Sequence, residues 1–197
     1  MTPPRFVLPL WPVIDRLLQM THHIRPLRPD GSGIMSVELT CYNGRPIMLD
    51  DSCQIKTGDK IIELHMNNAW FKQKRKLNLK ASQLPWEVLR SYAQDLRFLA
   101  EQMANGMFDG VTALHGCTFL DIAARRLGFR VEELPDTLWK KWAQFYLVGI
   151  MQIYHLRVGE ESRVMAKPWE LKEIWLSKAA FLRRYGDEGN FLRESLI

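Results

Sequence analysis

The chain has 197 residues, 47% of them hydrophobic and 25% charged, with a formal net charge of +5. That length supports one substantial core rather than two comfortable domains, and the composition excludes a disordered or low-complexity chain. The positive excess favours anionic partners (phosphates, anionic lipids, an acidic protein) without singling out nucleic acid.

Cys41, Cys53 and Cys117 are scattered and show no paired metal spacing, so a reduced, cytoplasmic setting is the simplest expectation. The N-terminus is broken by Pro3, Pro4 and Pro9 and lacks the basic and apolar regions of a signal peptide. No window holds the ~18 consecutive apolar residues that a membrane span needs.

In chain order, Pro12 suits the first turn of a helix that continues through Leu18. Residues 21–33 carry Pro26, Pro29, Gly31 and Gly33 and read as a loop. Met35, Val37, Leu39 and Cys41 alternate with polar residues, which predicts a half-buried strand. Asn43-Gly44 predicts a hairpin to a short return strand over Pro46 to Leu49, and Cys53 to Lys56 leads into the next strand. That strand lies in the stretch Gly58 to Asn68. Its alternation puts Ile62, Leu64 and Met66 on one face and Ile61, Glu63 and His65 on the other.

The period then changes. Leu89, Tyr92, Leu96, Leu99 and Met103 recur at three and four residues, between Pro85 and Asn105-Gly106, and predict an amphipathic helix. Val111 to Leu114 reads as a short strand, and His115 to Thr118 as a turn into a helix from Phe119 to Leu127 that stops at Gly128. Thr118 and Asp121 there approximate a capping box. Phe129 to Leu134 predicts a strand, and Asp136 opens a long helix reaching about His155, its second half apolar on every side as for a core helix. Leu171 to Leu176 is a last strand, and Ser177 can cap a helix through Tyr185. The expected fold is one α+β domain over residues 1–197, a mainly antiparallel sheet packed with helices.

Glu63 and His65 are the first site candidates. Two residues apart on one strand face, a carboxylate and an imidazole can act as a general acid/base pair, the carboxylate orienting the ring. Asn67 and Asn68 can add amide donors at the strand's end. The bland reading is a solvated sheet face. In His115-Gly116-Cys117-Thr118, amides at a helix start can hold an anion, and Cys117 with His115 can make a nucleophile and base. The bland reading is a packed turn with a buried thiol. Lys72, Lys74 and Arg75 belong to a basic run through Lys80, beside Trp70 and Phe71, that suits a phosphorylated ligand, an acidic carrier protein, single-stranded nucleic acid, or plain solvent. His22 and His23 read as surface residues. No local metal-ligand spacing occurs, so no metal is expected. Trp139, Trp142, Phe145 and Tyr146 beside Lys140 and Lys141 invite peripheral membrane contact, but their helical spacing favours a core stripe.

Four blocks, Leu10 to Arg16, Gly58 to Asn68, Leu114 to Phe129 and Trp175 to Gly186, resemble the YkoP-like domain in their order along most of the chain. That family occurs alone or behind polysaccharide deacetylase domains in bacteria, and the resemblance implies an envelope or polysaccharide setting with a deacetylase as partner. The predicted order of a meander, helix, strand, helix and strand, with Ala124 to Phe129 late in the chain, also resembles the N-acetyltransferase-like fold. That fold holds coenzyme A on a glycine-rich turn, where this chain has Ala69 to Lys76 and no glycine. Together these imply a transferase moving an acyl group from coenzyme A or an acyl-carrier donor to a lipid or sugar. The alternative is a non-catalytic accessory domain that binds a glycan, lipid or partner enzyme, and nucleic acid ranks last.

Overall fold

The computed structural model describes residues 20–70, 84–153 and 170–186, with positions 13, 16, 17 and 73. Its elements are β1 (Arg25–Pro26), β2 (Met35–Cys41), β3 (Ile47–Met48), β4 (Gln54–Ile55), β5 (Lys60–Met66), α1 (Leu84–Ala104), β6 (Val111–Thr118), α2 (Asp121–Arg126), β7 (Arg130–Glu133), α3 (Leu138–Ile153), β8 (Lys172–Ser177) and α4 (Lys178–Tyr185). Six strands form one sheet in the order β1-β2-β5-β6-β8-β7, and β3 pairs with β4 in a separate ribbon. Every neighbouring pair is antiparallel except β5 and β6, which run parallel because α1 carries the chain back between them. The mixed α+β class with a mainly antiparallel sheet is the one expected from the sequence. Most of the predicted first helix, over Pro12 to Leu18, lies outside the described residues.

Register sorts the side chains by face. Leu39, Ile62, Leu114 and Leu176 lie side by side across β2, β5, β6 and β8. Ile62, Leu114 and Leu176 are buried there against Leu96, Leu99 and Ala100 of α1 and Phe181 and Tyr185 of α4. The helical period of α1 produces this stripe, and Gly106, in the left-handed region at φ 83, ends it. Ser177 caps α4 as expected, its Oγ accepting from the Ala180 N–H at 3.0 Å. The opposite face carries Glu38, Glu63, His115, Trp175 and Arg130 in one row. At one end of that face the β3–β4 ribbon packs Leu49 and Ile55 on Ile61, Ala113 and Trp175. At the other end Ala143 and Leu147 of α3 pack with Leu134 and Leu171 near Cys117 and Phe119.

Three local expectations change. Asn43-Gly44 does not join two paired strands. β2 pairs with β5 instead, the ladder continues through Tyr42 N–H to Asp59 C=O at 2.8 Å, and residues 43–57 form an excursion that holds β3 and β4. The loop over 21–33 contains β1, whose two residues are too few to show any period. The first turns of α3 are not core: Leu138, Trp139 and Trp142 are exposed. Among the described residues no helix is long and apolar enough to cross a membrane.

Candidate active site

β5 presents Glu63 and His65 on the sheet face that the ribbon and α3 flank, and the neighbouring strands add partners that sequence reading missed. Glu38 of β2 is directly opposite Glu63, and Ser36 is opposite His65. His115 of β6 is opposite Glu63 on the other side. Glu173 comes from β8, two residues before Trp175 and on the same face, and Trp175 is opposite His115. The result is an alternating chain of imidazoles and carboxylates. His22 Nδ1 lies 3.5 Å from Glu38 Oε1, and His65 Nε2–H donates to Glu38 Oε2 at 3.3 Å. Glu63 Oε1 lies 3.5 Å from His115 Nδ1, whose Nε2–H donates to Glu173 Oε1 at 2.9 Å.

The charges follow from this geometry. Burial opposes the imidazolium of His115, but its hydrogen bonds to Glu173 and Glu63, and their charges, outweigh burial and raise its pKa to about 9. The indole of Trp175, with ring centroids 4.2 Å apart, supports that cation from one side. Burial also resists charge on Glu63, yet the hydrogen bond and charge of His115, then His65 and His22, hold its carboxyl below the usual value. At His65 burial wins: it lowers the imidazole pKa against the pull of Glu63 and Glu38. The ring is therefore neutral at pH 7. With Nε2–H on Glu38, its Nδ1 carries the free lone pair, which suits a proton acceptor.

His115 to Thr118 are not a turn at a helix start. They are the second half of β6, and their register with β8 runs from His115↔Trp175 to Thr118↔Lys172. A strand paired with β8 thus replaces the helix-start amides expected there. The capping box is also absent, since α2 begins after Leu120 and Thr118 Oγ1 accepts from the Leu120 N–H at 2.9 Å. Burial, then the charges of Glu173 and Glu63, push the Cys117 thiol up and disfavour the thiolate that a nucleophile needs. Gly116 has a packing reason: a Cβ there would stand 3.2 Å from the Leu64 carbonyl oxygen.

Asn67 lies at the end of β5, but its amide is taken locally. Its Nδ2 donates to Gly33 C=O at 2.7 Å and Gly31 C=O at 3.2 Å, and its Oδ1 accepts from the Ala69 N–H at 3.1 Å. Asn68 is buried beside it. Lys72, Lys74 and Arg75 lie outside the described residues. His22 is exposed as expected, yet it joins the chain through Glu38. The signal that could have found Glu38 was the alternation of β2, which puts it on the polar face. The missing step was the β2–β5 register, hidden by the apparent hairpin at Asn43-Gly44. Three ligand-bearing side chains, those of Glu38, Glu63 and His65, bring one donor atom each to within 4.8 Å of one another, although no local metal spacing announces them.

The pairing of β5 with β6 ends at Leu64↔Gly116, although β5 continues to Met66 and β6 to Thr118. The two strands keep their outer partners beyond that point, His65 on Ser36 and Cys117 on Glu173. The hydrogen-bonded ladder between them thus ends, as a fork in the pairing, beside Glu63 and His65.

The family model described as the YkoP domain matches residues 4–185. The chain is similar to a Bacillus subtilis (strain 168) protein described as "Uncharacterized protein YkoP", 23% identical over 125 residues that cover 63% of this chain and 68% of that one. No solved structure matches it. With the matched span running from ahead of β1 to the end of α4, the chain belongs to the YkoP domain family.

Proposed function

We propose that this chain is a transferase that moves an acyl group from a thioester donor to a hydroxyl of an envelope lipid or polysaccharide acceptor. The observation that carries the reading is the fork at Leu64 and Gly116. Strand edges freed from each other offer N–H and C=O groups to an extended, amide-bearing arm, such as the pantetheine arm of coenzyme A or of an acyl-carrier protein. An arm lying in the fork delivers its thioester beside Glu63 and His65. His65 takes the acceptor's proton as its oxygen attacks the thioester carbon. The C–O bond forms, the C–S bond breaks, and the proton leaves with the thiol. The strand order also supports the reading: an antiparallel set whose last member runs parallel to the next strand through a helix is the order expected of an N-acetyltransferase-like fold. The lack of glycine over Ala69 to Lys76 favours an acyl-carrier donor over coenzyme A held in the usual way, with Lys72, Lys74 and Arg75 meeting its phosphate.

The test is thiol release from acyl-coenzyme A and acyl-carrier donors in the presence of lipid and chito-oligosaccharide acceptors. Acceptor-dependent release that falls in Glu63→Gln and His65→Ala supports the reading. No release from any donor removes it.

One observation favours a second reading, a non-catalytic accessory domain that binds a glycan presented to a polysaccharide deacetylase. Trp139 and Trp142 are exposed on α3, and Trp142 stacks parallel to Tyr146 with centroids 5.5 Å apart. Such flat apolar faces suit sugar rings. This reading expects chito-oligosaccharide binding that survives His65→Ala and is lost in Trp142→Ala.

A further inference from the structure

The polar face gathers three carboxylates, those of Glu38, Glu63 and Glu173, among its imidazoles. Glu38 and Glu63 are directly opposite each other on paired strands, where like charges repel. Their side chains are only 11% and 26% exposed, so water screens that repulsion poorly. Glu173 adds a third carboxylate nearby. His115 answers part of this charge but is already shared between Glu63 and Glu173.

The remaining groups have the form of a cation site. Glu38, Glu63 and His65 each bring one donor atom to a common point, all within 4.8 Å of one another. Ligands at about 2.1 Å from an ion sit about 3–3.5 Å apart, so modest side-chain rotation closes the set. Both carboxylates are oriented from outside by an imidazole: His22 reaches Glu38 Oε1 and His115 reaches Glu63 Oε1, each at 3.5 Å. His65 is 29% exposed, which leaves an entry path and room for water or substrate. Two carboxylate oxygens and one imidazole nitrogen suit a first-row transition ion better than calcium or magnesium, which prefer oxygen alone.

We propose that Glu38, Glu63 and His65 bind a divalent first-row transition ion, Zn²⁺ or Mn²⁺, with open coordination positions toward the fork between β5 and β6. The site shares Glu63 and His65 with the transfer reading but does not rest on it. Ion and proton compete for the His65 nitrogen, so an ion there takes over the activation of an acceptor hydroxyl or a water.

The test uses the full chain stripped with EDTA and dialysed, then titrated with ZnCl₂ by calorimetry and with MnCl₂ by electron paramagnetic resonance. One ion per chain is expected, with affinity falling at least ~100-fold in Glu38→Gln and His65→Ala. Cys41→Ser, at an exposed thiol that could bind zinc adventitiously, is expected to leave affinity unchanged. Because a misfolded variant would mimic a lost ligand, Mn²⁺-induced NMR line broadening is read on the native chain. Broadening centred on residues 36–40 and 61–67 supports the site. Broadening centred elsewhere, affinity untouched by Glu38→Gln and His65→Ala, or no binding overturns it. Thioester consumption, measured separately with and without ion, keeps the two readings distinguishable. Binding without turnover retains the ion site and removes the transfer reading, and turnover without binding does the reverse.

Discussion

Two buried carboxylate networks lie on opposite sides of the same sheet, and they are built differently. On the helical side, Asp95 of α1 is 2% exposed; its Oδ2 accepts from the Met35 N–H at 2.9 Å and its Oδ1 from Arg28 Nε–H at 2.6 Å. Gly33 permits this closeness, because a Cβ there would fall 2.5 Å from Oδ2. A guanidinium that never deprotonates and a backbone amide enclose the carboxylate on each oxygen. On the other side, Glu38, Glu63 and Glu173 meet imidazoles and keep 11–26% of their side-chain surface exposed. The first network is closed by fixed donors and fastens a loop to a helix. The second has titratable partners, an excess of carboxylates and access from outside, which is what a site for a ligand or a proton requires.

The largest effect is expected from breaking the closed network. Asp95→Ala leaves Arg28 and the Met35 amide without their partner and should cost about 3 kcal/mol in urea unfolding. Gly116→Ala sits between the two cases, because its Cβ meets the rigid Leu64 carbonyl at the root of the fork. A loss of about 1–2 kcal/mol in the same assay is expected, together with weaker donor binding. Glu63→Gln and His65→Ala, in the open network, should change stability by under about 1 kcal/mol, since both groups retain water contact. Thioester turnover in those variants should fall by about 10²–10⁴. A stability loss as large as that of Asp95→Ala would make the open network structural and erase the contrast. Cys117→Ala should give the smallest change, with turnover retained, because burial disfavours its thiolate.

Much of this frame was legible in the sequence because periodicity reports burial. The alternation at Ile61 to Met66 gave the faces of β5, the three-and-four spacing gave α1, and Ser177 gave the start of α4. What could not be read was which strands lie beside each other. Glu38 and Glu173 are far in sequence from Glu63 and His115, and only the β2–β5 and β6–β8 registers bring them together. Asn43-Gly44 misled because a two-residue turn signal is local, while the choice of partner strand is settled by burial of Val37 and Ile62 beneath the helices. His115 to Thr118 looked like a turn because Gly116 usually interrupts a strand. Here it is needed inside one, where two parallel backbones approach.

The ends of the sheet carry a consequence for solubility. Its outermost strands are β1, two residues long and containing Pro26, and β7, four residues long with Arg130, Glu132 and Glu133. Proline has no N–H to offer a further strand, and charged side chains resist burial against one. Arg130 is moreover tied to the ribbon through the Met48 carbonyl and Asp50. Among the described residues neither border is a long, flat, apolar edge, so neither is a ready template for pairing with another chain.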